Sequence, residues 1–204
     1  MLVVDNMSLR EMYTELVNDG PNVTAKVEYL CNNFRRNVLK RTRFPVQFKP
    51  VDYVSPKKNK WIIIFTAKSK KDAEAPVITY VCTANARGGI YVFMISLFQG
   101  DPCVLMFPPH FFQRYRDRFL KGNNDIKGID LIKYFFCRNP TFSSDESVED
   151  KRIFQTSCED GVCLGIEKEK NIFIQRTFLT YEMLKNDQID TFESLYDTLY
   201  EGEE

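Results

Sequence analysis

The sequence predicts an α+β fold: an antiparallel sheet of about six or seven strands, packed with helices and preceded by a helical N-terminal segment. Three observations predict it. Residues 8–40 repeat apolar side chains at helical spacing. From Trp61 onward, strand-length apolar runs are separated by short polar turns such as Asn85-Ala86-Arg87-Gly88-Gly89 and Gln99-Gly100-Asp101-Pro102. Connections that tight imply antiparallel neighbours, because parallel ones need a long crossover. Many positions on both faces of these runs are apolar, so both faces of the sheet are expected to be covered, at least in part.

The expected organisation is a single domain over residues 1–204, with a helical segment at 1–43 and a sheet-containing core at 44–204. Ser8 and Glu11 have capping-box spacing, and Leu9, Met12, Tyr13, Leu16 and Val17 mark one apolar face of a first helix. Asp19-Gly20-Pro21 is read as its stop. A second helix is expected from Val23 to Lys40, with Val27, Leu30, Cys31, Phe34 and Leu39 inward. Its basic end (Arg35, Arg36, Lys40, Arg41, Arg43) suits a helix C-terminus, and also suits a patch that contacts phosphates. Residues 44–56 carry prolines at 45, 50 and 56 and read as an edge strand or linking arm.

Strands are expected at Trp61–Ala67, Val77–Thr83, Ile90–Phe98 and Cys103–Phe107, then at Arg152–Thr156, Gly161–Glu167 and Asn171–Phe178. Between the two groups lie a helix starting at Pro109, a second helix over Leu131–Cys137 capped by Asp130, and a polar acidic loop over 139–151. Thr180 is placed to cap a last helix from Tyr181 to about Gln188. Beyond it Phe192, Leu195, Tyr196 and Leu199 keep helical spacing ahead of an acidic tail.

Composition narrows the function classes. A chain of 204 residues with 17 Phe and 10 Tyr can build a sizeable core. The formal net charge is zero, so any attraction to nucleic acid or anionic lipid has to be local. The N-terminus lacks the basic-then-apolar pattern of a signal peptide. No apolar run approaches the ~20 residues that span a bilayer. A soluble, cytoplasmic protein without a membrane partner is expected. Of the six cysteines none forms a CxxC pair, and with one histidine there is no ligand set for structural zinc, so no metal and no cofactor are expected. Cys82, Cys103 and Cys137 read as small buried hydrophobes, and Cys158 and Cys163, flanking a turn, as free thiols.

The chemistry concentrates in Phe107–Leu120, which holds the only histidine. Steps of four carry His110, Arg114 and Arg118 along one helix face, beside a stripe of Phe111, Tyr115 and Phe119. The positive end of the helix dipole, the arginines and any burial all disfavour imidazolium, so His110 is expected neutral at pH 7 and able to accept a proton. The same N-terminal N–H groups and arginines favour an anion. A base beside an anion site suits metal-free cleavage of RNA with the 2′-hydroxyl as nucleophile. The acid must come from elsewhere, and Tyr115, Tyr181 and Glu182 qualify by residue type alone. A plainer account is equally open: His110 as a capping or buried structural group, with Arg114, Arg116 and Arg118 paired to Asp117 and the acidic loop.

The order His110-x3-Arg114-x3-Arg118 on a helix, then short antiparallel strands, then Arg176-Thr177-Phe178 leading into a helix, resembles the barnase/EndoU/colicin/RelE group of metal-independent ribonucleases over about Phe107–Leu184. The resemblance implies a helix packed on an antiparallel sheet, His110 as acid or base, Arg114 and Arg118 as phosphate clamps, and Thr177 or Arg176 facing the same cleft. Arg87 and Arg116 are further candidates for phosphate contact. The chain departs from that group in its long preceding meander and its zero net charge. Two other classes stand beside it: a protein-binding or accessory module, and an inert nucleic-acid binder that uses Arg87, Arg114 and the basic helix end. RNA or another protein is the expected partner.

Overall fold

The computed structural model describes residues 1–144 and 153–185. The expectations for the acidic loop from residue 145 to 151, for Arg152 as the start of a strand, and for the chain beyond Lys185 fall outside the described residues. The fold is α+β, with a mostly antiparallel sheet and a helical N-terminal segment.

That segment is one helix, α1 (Leu9–Leu39), and not two. At 31 residues it is ~46 Å long. The Ser8/Glu11 capping box is present. Gly20 and Pro21 do not end it. A proline inside a helix costs about 3 kcal/mol, but one buried stripe (Met12, Leu16, Asp19, Val23, Val27, Phe34, Val38) runs across the break. Stopping at Asp19 would expose half of that stripe. Leu39, expected inward, is 46 % exposed, and Val38 is buried in its place.

Among the described residues the sheet has ten strands, and seven are the expected ones: β3 (Lys60–Ala67), β4 (Val77–Ala86), β5 (Gly89–Phe98), β6 (Asp101–Phe107), β8 (Ile153–Cys158), β9 (Gly161–Glu169) and β10 (Ile172–Thr180). Three short strands account for the excess over six or seven. The arm supplies β1 (Val46–Gln47) and β2 (Val51–Val54), both along β3, and β7 (Ser143–Ser144) pairs with β8. A short 3-10 helix, Lys70–Ala73, lies within the polar loop that follows β3.

The strand order is β1-β3-β4-β5-β6-β10-β9-β8-β7. The sheet is thus two antiparallel halves joined by one parallel pair, with Val104, Leu105 and Met106 opposite Ile172, Phe173 and Ile174. No short-range signal announces that pair, because its strands are separated by α2 (Pro109–Arg118), α3 (Ile129–Arg138) and a whole meander. The first turn of α3 starts at Gly128, whose φ of 58° places it in the left-handed region, so Asp130 sits inside the helix and is not its cap.

The two faces carry separate cores. β3 shows the division: Trp61, Ile63 and Phe65 join α1, while Ile62 and Ile64 join α2 and α3. The α2/α3 core is aromatic, with Phe107, Phe111, Phe135 and Phe178 in edge-to-face contacts. A smaller patch of Val162, Leu164 and Leu179 is covered by Met183 and Leu184 of α4 (Tyr181–Lys185), which Thr180 caps. All six cysteines are free. No helix among the described residues is long and apolar enough to cross a membrane.

Candidate active site around His110

α2 starts where β6 ends. Pro108 is its N-cap and Pro109 its first residue, as the sequence suggested. Phe111, Phe112 and Tyr115 are buried, so the neighbouring stripe is turned towards β10. The pairing of β6 with β10 ends at Met106–Ile174, and past that point α2 occupies the edge of β10 that β6 has left.

A β-bulge lies at this place. Gly165 faces Gln175 and Leu164 faces Thr177, so Arg176 is the extra residue. Gly165 permits it, since a Cβ there would come within 2.3 Å of the Ile174 carbonyl oxygen. Before the bulge the Asn171 carbonyl faces β6 and accepts from Val104. After it, the carbonyls of Arg176 and Phe178 face α2. Arg114 Nη1 donates to the Arg176 carbonyl at 2.8 Å, and Arg118 Nη1 to the Phe178 carbonyl at 2.6 Å and to Thr177 Oγ1 at 2.8 Å. The spacing explains the match. Four helical residues rise ~6 Å, and two strand residues span ~6.8 Å, so successive helix positions meet alternate strand carbonyls.

His110 is half-buried at the head of this row. Burial lowers its pKa most, followed by the charges of Arg114 and Arg176, while a hydrogen bond to the Arg176 backbone opposes them. The net shift is downward. Arg118 was expected to act on the ring, and Arg176 takes that part because the bulge brings it alongside. Burial also lowers the pKa of Arg118, and the Arg114 charge adds to it.

The structure therefore brings together His110, Arg114, Arg118, Arg176 and Thr177. Thr177 is fully buried. Arg87 is exposed on a turn that abuts the start of α2, because a Cβ on Gly89 would meet Pro109 at 3.1 Å. Arg116 stands apart, paired with Asp117 at 3.3 Å. Tyr115 is removed as an acid candidate. It is buried, its hydroxyl donates to Asp160 at 2.7 Å, and burial and that carboxylate push its pKa well up. Tyr181 donates to the Cys158 carbonyl at 2.6 Å, and Glu182 is exposed.

Three polar features escaped the sequence. Asp160 is a buried carboxylate that joins Tyr115 and Asn139 and takes a bidentate pair from Arg138, with Nη2 at 2.6 Å. Asp19 is another, described below. Gln175, fully buried beside the bulge, has neither amide atom hydrogen bonded among the described residues. Gln175 opens the polar run Gln175-Arg176-Thr177, and nothing in that run singles it out as the buried one. Among the described residues no group of three or more His, Cys, Asp or Glu converges to hold a metal. In comparisons with family models, curated proteins and solved structures, nothing matches this chain.

Proposed function

We propose that the protein cleaves RNA phosphodiester bonds without a metal, with His110 as the proton acceptor. In this reading His110 takes the proton of a ribose 2′-hydroxyl. The 2′ oxygen then attacks phosphorus and the P–O5′ bond breaks, the departing 5′ oxygen taking a proton from solvent water, which gives a 2′,3′-cyclic phosphate and a 5′-hydroxyl. Arg114 and the Arg176 side chain supply positive charge around the phosphorane. Arg118 and Thr177 shift from clamp and catalyst to positioning residues that hold α2 on the bulged strand. The observation that carries the reading is a half-buried imidazole at the head of the α2–β10 contact, where burial and the charges of Arg114 and Arg176 oppose its protonation.

Incubation of the purified chain with end-labelled RNA in EDTA tests it. Cleavage is expected, with a loss of at least about 100-fold in His110→Ala. Native protein that cleaves none of the RNAs offered overturns it.

One observation favours a second reading, a non-catalytic binding module. Arg114 and Arg118 each give an N–H to a strand carbonyl, as a lock between helix and sheet would also require. That reading expects RNA or a protein partner to be bound, RNA to stay intact, and His110→Ala to bind as well as the native chain.

A further inference from the structure

The zero net charge conceals a segregation. Residues 186–204 hold seven Asp or Glu and no Lys or Arg. The described residues hold 26 Lys and Arg against 17 Asp and Glu. The folded body is therefore cationic, and one place concentrates the charge. Past the C-terminal end of α1 the chain turns through Lys40, Arg41, Thr42 and Arg43 into β1. With Pro45, Val46 and Gln47 these residues line a cavity of about 430 Å³, and among the described residues no carboxylate lines it. Lys40, Arg41 and Arg43 are exposed. Among the described residues none of the three forms an ion pair. The 3-10 helix packs on α1 and adds the exposed Lys70 and Lys71. Its own acid, Asp72, is spent on the backbone N–H groups of Lys68 and Ser69, and Glu74 on Arg35.

A dipole-complementing helix end needs cations in its last turn only. Here Arg41 and Arg43 lie beyond the helix, so that account does not cover them. His110 lies at the opposite end of the strands, since Val46 pairs with Ala67 at one end of β3, whereas the turn at Gly89 that abuts α2 is level with the other.

We propose that this concave cationic end is a separate binding surface for the phosphate backbone of single-stranded RNA. Among the described residues no aromatic ring lines the cavity, so phosphates are the groups recognised there. Binding is therefore insensitive to sequence and strongly dependent on salt. A lipid surface fits less well. Interfacial helices present a whole apolar face beside their cations, and this stretch of α1 exposes one large apolar side chain, Leu39. The inference shares with the proposed function only the choice of RNA as ligand, and needs no cleavage.

The test uses the full chain in EDTA, with a fluorescent uncleavable 2′-O-methyl 20-mer, and follows anisotropy across a series of KCl concentrations. In the triple variant Lys40→Gln, Arg41→Gln, Arg43→Gln, the slope of log K against log salt is expected to become shallower by about 2, from ~0.7 per phosphate contact on a single strand. Affinity at low salt falls with it, while far-UV circular dichroism is unchanged. An unchanged slope and affinity in the triple variant overturns the proposal. So does binding to phosphatidylserine vesicles with no binding to the 20-mer. Cleavage of natural RNA is read separately, so either idea can fail without the other.

Discussion

His110 takes up a proton less readily in the fold than a free imidazole does, because burial and two guanidinium charges act on the ring together. The unfolded chain then binds that proton more tightly than the folded one. Stability is therefore lost as pH falls from the ordinary value of 6.5 through the lowered value. His110→Gln removes this titration. Urea midpoints compared at about pH 7.5 and pH 5.5 are expected to drop more in the native protein than in the variant, and equal drops refute the assignment. Under the proposed RNA cleavage, the acid limb of activity is expected below the free-histidine value for the same reason. The downward direction of the shift was readable from the sequence, through burial and the charge of Arg114 four residues on. That Arg176 supplies the second charge was not. Its place depends on a bulge, and the bulge depends on Gly165 in another strand.

The pairing of α2 with β10 is the element that assembles the site. Arg118 covers the Phe178 carbonyl and the buried Thr177 hydroxyl. Arg118→Met leaves both without that donor, and a loss of about 2 kcal/mol in thermal or urea unfolding is expected, against little change for Arg116→Met. Equal effects of the two substitutions would remove the lock. The start of α2, its inward stripe and its i, i+4, i+8 row could be read from Pro109 and the aromatic spacing; its end could not, since the Gly122-Asn123-Asn124 turn signal lies beyond Arg118, where the helix stops. The partner of that row could not, because Arg114 and Arg118 meet a strand some sixty residues away. The mistaken break at Asp19-Gly20-Pro21 has the converse cause. Local propensity records the cost of Gly and Pro, and is blind to a buried stripe that continues on both sides.

Across the whole molecule, Asp19 ties the long helix to the sheet. It is fully buried and accepts from Ser55 Oγ at 2.6 Å, Asn59 Nδ2 at 2.8 Å, Trp61 Nε1 at 2.9 Å and Asn22 Nδ2 at 2.9 Å. Burial alone would raise its pKa, and the four hydrogen bonds reverse that and lower it. Asp19→Ala strands the buried Trp61, Ser55 and Asn59 donors, and a loss of about 3 kcal/mol is expected, read from the fluorescence of the one tryptophan in urea. A loss under about 1 kcal/mol refutes the hub. At this scale the fold class, the two covered faces and the seven long strands were legible, since alternation and turn spacing are local properties. The join between the two halves was not. That join has a consequence for synthesis. A ribosome delivers β6 well before β10, so the outer border of the first meander stays unpaired while everything from Pro108 to Asn171 is made. Until the last strand docks, nascent chains carry an open template for neighbouring polypeptides, and the hazard ends only when translation has passed Thr180.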